Sequence, residues 1–206
     1  MPWQAELDQA TRWLDELALS GVIVELAAGS GWWSPLLAQK GELLITDEDE
    51  AALEQARRRL IAHGLMAHIH ARDPLAPPDR EADVVFAAFL MGASGDDAAL
   101  RCQLAVVRRW LRPGGTFAFI EVGSRPSAPS TDGPGSGGLV VDGPGTGRPA
   151  VDGPRGPARA IPPGLLHEAL TETGFEAVTL TSTAHALMMG TASAGSPDSP
   201  RSPATA

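Results

Sequence analysis

"VIVELAAGSGWWSPLLAQKGELLITDEDEAALEQARRRL", residues 22–60, decides how the rest of the chain is read. Its first part, within "GVIVELA" (21–27), is a short, continuous, β-branched apolar run, the pattern of a strand buried on both faces. Gly29 and Gly31 then supply the backbone freedom for a tight loop. Ser34-Pro35 opens a helix, because proline fits a first helical turn. "ELLITD" (42–47) is a second buried strand. "EAALEQARRRLIAHG" (50–64) is a helix with acids early and arginines late, matching its dipole, and Gly64 closes it. Strand, glycine loop, helix, strand, acid, helix is the outline of one half of a nucleotide-binding fold.

Working outward, Trp3, Leu7, Ala10, Trp13, Leu14 and Leu17 recur at helical spacing and predict a lead-in helix over 3–19. Downstream, "AHIHARD" (67–73) and "ADVVFAAF" (82–89) read as strands three and four. "DDAALRCQLAVVRRWLR" (96–112) reads as a helix, Pro113-Gly114-Gly115 as a turn, and "TFAFIEV" (116–122) as strand five. Strands alternating with helices predict a parallel sheet covered on both faces. From Ser124 to about residue 160 the pattern gives way to a Gly/Pro-rich segment with a ten-residue repeat starting at Asp132, Asp142 and Asp152. A period that short buries no face of its own, so the segment is expected to be a flexible insertion at the edge of the active site. Order returns with a helix from Pro163 to Thr173, ended by Gly174, and two strands joined as a hairpin around Ser182-Thr183. Residues 1–192 thus read as one domain and 193–206 as a disordered tail.

The chain has 206 residues and a formal net charge of −9, with Lys40 its only lysine. So acidic a protein has no overall field to hold a phosphate backbone, and nucleic acid is not an expected partner. Cys102 stands alone, which excludes a disulfide framework and a cysteine metal cluster. It is expected to be a small buried hydrophobe of its helix. No apolar run reaches membrane-spanning length and no signal peptide is legible, so a cytoplasmic protein is expected.

Ligands of open parallel sheets sit outside the carboxyl ends of the strands. Glu25, Ala27, Gly29 and Gly31 follow strand one, Asp47 ends strand two, Asp73 and Pro74 follow strand three, and Phe89 follows strand four. A carboxylate at Asp47 can accept hydrogen bonds from two ribose hydroxyls. Glu48, Asp49 and Glu50 read first as the acidic first turn of a helix, and Glu48 stays a binding candidate through its place beside Asp47. Asp73 either meets an adenine amino group or starts the turn before Pro74. Trp32-Trp33 stands where a dinucleotide fingerprint wants a slim helix start. At this level a dinucleotide, S-adenosylmethionine and no ligand at all remain open.

Five segments together, "VELAAGSGWW", "LLITDEDEAALEQARRRL", "HARDPLAPPDREADVVFAAFL", "LRPGGTFAFIEV" and "LLHEALTETGFEAVTLTSTAHALMMGTA", resemble class I S-adenosylmethionine-dependent methyltransferases in content and order over about residues 20–192. The resemblance implies a Rossmann-like three-layer α/β sandwich with a seven-stranded, mostly parallel sheet whose last strand is antiparallel. It implies S-adenosylmethionine as cofactor, with Glu25, Gly29 and Gly31 shaping the methionine pocket, Asp47 on the ribose, and Asp73 with Pro74 near the adenine. The chain departs from the family pattern at Ala27, where glycine is usual. It departs again in the apolar "AAFLMGASGDD" (87–97), which lacks the polar pair often found around Gly92 and Ala93.

On the substrate side, His63 and His68 read as solvated, His70 as a half-buried structural residue, and His167 as part of a late helix remote from the site. His185 begins the last strand, remote from the site, and no metal cluster is expected. The Arg57-Arg58-Arg59 and Arg108-Arg109 runs read as solvated helix faces, Phe117 and Phe119 as core. The leading expectation is methylation of an oxygen or nitrogen of a small-molecule acceptor. A methyltransferase fold that has lost catalysis, and a nucleotide-dependent oxidoreductase on the same half-fold, are the alternatives.

Overall fold

A computed structural model describes residues 2–124, 159–184 and 187–195. The repeat as far as residue 158, His185, and all of the tail past Gly195 lie outside the described residues. The elements are α1 (Pro2–Glu16), β1 (Val22–Leu26), α2 (Ser34–Ala38), β2 (Glu42–Asp47), α3 (Glu50–Ala62), β3 (His68–Ala71), β4 (Ala82–Ala88), α4 (Asp97–Trp110), β5 (Leu111–Val122), α5 (Pro163–Glu172), β6 (Phe175–Ser182) and β7 (Leu187–Ala194). A single 3₁₀ turn, Met91–Ala93, joins β4 to α4. No described helix is long and apolar enough to cross a membrane.

The strands form one sheet in the order β3-β2-β1-β4-β5-β7-β6. β1 to β5 run parallel, and β7 runs antiparallel to both β5 and β6, as the resemblance implies. β7 continues through Ser193 and Ala194, two residues into the segment read as tail, because those residues pair with Thr116, Glu176 and Phe175. β5 also starts earlier than read. Leu111 pairs with Ala82 and Thr116 with Val84, so the Pro113-Gly114-Gly115 turn is a bulge inside the strand.

Two cores cover the sheet. On one face α1 (Leu7, Ala10, Leu14), α2 (Leu37) and α3 (Leu53, Leu60) pack on Ile23, Val84, Phe86 and Ile120. On the other, α4 (Leu100, Leu104, Trp110) and α5 (Leu166, Leu170) pack on Val24, Val85, Phe117 and Phe119. Alternate residues of β4 and β5 enter opposite cores, which is why these strands read as unbroken apolar runs. Pairing order reverses between β1 and β4, so a crevice opens at the carboxyl ends of those two strands.

Three expectations are corrected here. Cys102 is exposed, because α4 turns Leu100, Leu104, Val107 and Trp110 inward and leaves position 102 on the outer face. His70 is exposed rather than half-buried, because β3 is an edge strand and only Ile69 of its four residues is shielded. Arg59 and Arg108 are not simply solvated. Arg59 donates to the Ser30 carbonyl at 3.2 Å with its guanidinium over the Trp32 ring, and Arg108 donates to the carbonyls of Leu111 and Gly195.

Candidate functional site

The loop leaving β1 turns back through Gly31, whose N–H donates to the Ala28 carbonyl at 3.0 Å. Gly29 and Gly31 lie in the left-handed region at φ 54° and 69°. They serve different ends. A Cβ at Gly29 would meet nothing within 4 Å, since it faces the open crevice. A Cβ at Gly31 would come 2.6 Å from Ala56 Cβ, so this glycine lets α3 pack against the loop. Ala27 also takes positive φ, 53°, where an L side chain costs about 1 kcal/mol or more. The missing family glycine therefore acts on the backbone. Ala27→Gly is expected to stabilise the protein by about 0.5–1 kcal/mol net of unfolded-state entropy, readable as a raised midpoint in urea unfolding. An unchanged or lowered midpoint would remove the strain argument.

Asp47, buried at the end of β2, organises the crevice. One carboxylate oxygen accepts the Gly29 N–H at 2.8 Å and the other accepts the Asp49 N–H at 2.9 Å. Each oxygen keeps a further lone pair for a ligand hydroxyl. Asp49 itself caps α3, accepting from the N–H groups of Ala51 and Ala52. Glu48 is exposed on the crevice rim. Asp73 accepts the Leu75 N–H at 2.8 Å, which makes it a turn-former while it still faces the crevice.

Glu25 is buried on the α2 side of β1, where the Ser34 hydroxyl donates to its Oε2 at 2.5 Å. Burial pushes its carboxyl up to about 8, opposed by the Ser34 hydrogen bond and reinforced by the nearby Asp47 charge.

The crevice encloses about 500 Å³, an ordinary size for a small-molecule site. Of the sequence-predicted residues it brings together Glu25, Ala27, Gly29, Asp47, Glu48, Asp73, Pro74 and Phe89. Gly31 lies behind the wall. Trp32, Trp33 and Leu75 add apolar surface, and Gln103 of α4 adds an amide that no spacing argument singled out. The Ser94 hydroxyl, with one hydrogen to share between the Met91 carbonyl at 2.5 Å and Gln103 Oε1 at 2.6 Å, holds this amide at the crevice.

Glu121 is the second group that sequence reasoning missed. It is fully buried at the end of β5, with Oε1 accepting the Met91 N–H at 2.6 Å and Oε2 the Gly92 N–H at 3.3 Å. Burial pushes its carboxyl up to about 8, against the lowering effect of these backbone donors. The Gly92 carbonyl accepts from the Arg159 N–H on its far side at 3.0 Å. The segment after β4 is thus pinned from two directions, and Leu90 and Ala93 are held against the crevice. An acidic residue next to the end of a strand apolar on both faces gives no sign of where its side chain points.

Residues 23–115 match the methyltransferase domain. The chain is 31% identical over 125 residues to the ubiquinone/menaquinone biosynthesis C-methyltransferase UbiE of Azotobacter vinelandii, covering 54% of this chain and 47% of that protein. It therefore spans about half the length of the curated relative it matches. The structure of the DhpI-SAM-HEP complex superposes with a TM-score of 0.70 at 23% identity, covering 92% of this chain and 86% of the other. Magnesium protoporphyrin IX methyltransferase ChlM from Synechocystis, solved with bound SAM, gives 0.62 at 16% identity over 92% and 78%. At such identities the likeness speaks for the fold. Residues 23–115 thus match a methyltransferase domain, and the described chain has the fold of class I S-adenosylmethionine-dependent methyltransferases.

Proposed function

We propose that this protein transfers the methyl group of S-adenosylmethionine to an oxygen or nitrogen of a small-molecule acceptor. The observation that carries the reading is the convergence of Glu25, Gly29, Asp47 and Asp73 on one crevice at the switch point of the sheet. The residues fit the cofactor. Asp47 has lone pairs to spare for a ribose, Gly29 leaves open the space a side chain would fill, and Glu25 sits where an ammonium can be met. The ionisable side chains of the described wall are Glu25, Asp47, Glu48, Asp49 and Asp73, all acids, which suits a ligand carrying ammonium and sulfonium charges. Nucleic acid is disfavoured, because none of these side chains offers a cation to a phosphate.

When bound, the cofactor supplies an electrophilic methyl group on sulfur. The protein holds the cofactor at Asp47 and Glu25, aligns an acceptor from the β4 side and keeps water out with Trp33, Phe89 and Leu90. A carbon acceptor is a second reading, favoured by the relative named as a C-methyltransferase. The exposed, unpaired Cys102 supports a reducing, cytoplasmic setting. Methyl-tritiated S-adenosylmethionine incubated with a panel of phenols, amines, carboxylic acids and activated-carbon acceptors tests the reading. Label is expected in an oxygen or nitrogen acceptor, with one S-adenosylhomocysteine formed per methyl transferred. Label only in carbon acceptors would select the second reading, and cofactor binding without any transfer would leave a fold retired from catalysis.

A further inference from the structure

The crevice wall changes character from one end to the other. Its acids lie at or just past the carboxyl ends of β1, β2 and β3, whereas the end of β4 and the segment after it contribute Ala88, Phe89, Leu90 and, within the 3₁₀ turn, Ala93. Phe89 is the anchor of this uncharged end. It holds positive φ, 57°, with its N–H donating to the Ile120 carbonyl at 2.9 Å. A bulky residue there is strained, and strain of this kind persists where the surroundings over-determine it. Here those surroundings are aromatic. The Phe89 ring centroid lies 6.1 Å from that of Trp33 and 6.0 Å from that of Trp3, and Trp33 in turn packs edge-on to Phe86 at 5.8 Å.

Trp3 makes this more than a core cluster. It stands in the first turn of α1 and remains 39% exposed, one of the few large apolar side chains left at the surface. Its place is fixed from below. Leu7, Ala10 and Leu14 bury the helix, and Glu6, itself buried, accepts the Thr183 hydroxyl at 2.9 Å, tying α1 to the end of β6. Phe89 lines the crevice while Trp3, held against it from outside the wall, keeps its indole exposed, so the pair joins the uncharged end of the crevice to the surface as one aromatic patch.

We propose that Phe89 and Trp3 form the acceptor-binding surface and that the acceptor is a neutral, planar aromatic molecule. The inference rests on the cofactor lying at the acidic end, as set out above. A cationic acceptor also stacks on aromatic faces, but the charges that would desolvate with it lie at the cofactor end. A zwitterion or anion finds no partner among Ala88, Phe89, Leu90 and Ala93.

The test uses the full chain saturated with S-adenosylhomocysteine, with 2-naphthol, tetramethylammonium and glycine as probes in ligand-observed NMR titrations. 2-Naphthol is expected to bind at least about tenfold more tightly than either ion. Phe89→Gly, which suits the positive φ and so keeps the backbone, should weaken 2-naphthol at least about tenfold. Trp3→Ala, at an exposed position, should weaken it about threefold or more. Trp3→Ala should bind S-adenosylhomocysteine as the wild type does, and both variants are titrated with 2-naphthol at S-adenosylhomocysteine concentrations that saturate them. Equal naphthol affinity in Phe89→Gly, no naphthol binding to the loaded wild type, or tetramethylammonium binding as tightly as naphthol would each overturn the proposal. Failure of the wild type to bind S-adenosylhomocysteine would instead strike the cofactor reading beneath it.

Discussion

The ligand-free protein is expected to lose stability as pH rises from about 5 to about 8, by on the order of a few kcal/mol for each of two buried acids. Glu25 and Glu121 are each raised from the ordinary carboxyl value to about 8 by burial. An acid whose folded pKa is raised binds more protons folded than unfolded between the two values, so stability falls with pH across that window. The contribution is fully present below the unfolded pKa and is lost as pH climbs through the folded one. For a domain stable by only about 5–15 kcal/mol this is a large effect. Thermal melts at half-unit steps of pH check it. Glu25→Gln should remove about half the slope, because its amide oxygen can still accept the Ser34 hydroxyl. A flat profile in the wild type would show that both carboxyls ionise freely in place.

The same group links binding to protons. A cofactor ammonium beside Glu25 favours its carboxylate, so binding near pH 7 should release up to about one proton and tighten as pH rises toward 8. Calorimetry in two buffers of different ionisation heat reads that proton directly. Its persistence in Glu25→Gln would assign it elsewhere.

Most of the architecture was legible because it rests on short-range signals. Buried parallel strands are continuous apolar runs, helix ends carry Gly64, Gly174 and Pro35, and the crevice acids cluster at the carboxyl ends of strands. The rest depends on contacts between distant segments. Gly29 and Gly31 look alike in the loop, and only the position of Ala56 on α3 separates a crevice-facing glycine from a packing one. In the sequence Ala27 is only a departure from the usual glycine, whereas its cost lies in φ, which no side-chain argument reports. The apolar "AAFLMGAS" segment read as a site stripped of polar groups. Polar control reaches it from Gln103, Glu121 and Arg159, the last two 29 or more residues beyond Gly92. The Trp3–Phe89 contact joins the first helical turn to the end of β4 and has no local signature at all.

Asp47→Ala should cost about 100-fold in affinity for S-adenosylmethionine and S-adenosylhomocysteine alike. Two charge-assisted hydrogen bonds to ribose hydroxyls, at about 1.5–3 kcal/mol each, more than cover that factor even when part of the loss is made up by water. A second contribution comes from the loop. With the carboxylate gone, the Gly29 and Asp49 N–H groups lose their acceptor, and the backbone that should cradle the cofactor is freed to drift. The two contributions separate by substitution. Asp47→Asn keeps one carbonyl oxygen but turns its NH₂ toward the other N–H donor, so it should retain part of the ribose contact and fall between wild type and alanine. The fold should survive, since the variants remove two part-buried hydrogen bonds to loop N–H groups, worth about 1 kcal/mol each, rather than core packing. Calorimetric titration at matched pH, with a melt to show each variant folded, measures the effect. Affinity within about threefold of wild type in Asp47→Ala would mean that the ribose is held elsewhere. The carboxylate would then be a loop brace, and Glu48, exposed on the rim beside it, would be the next acid to remove.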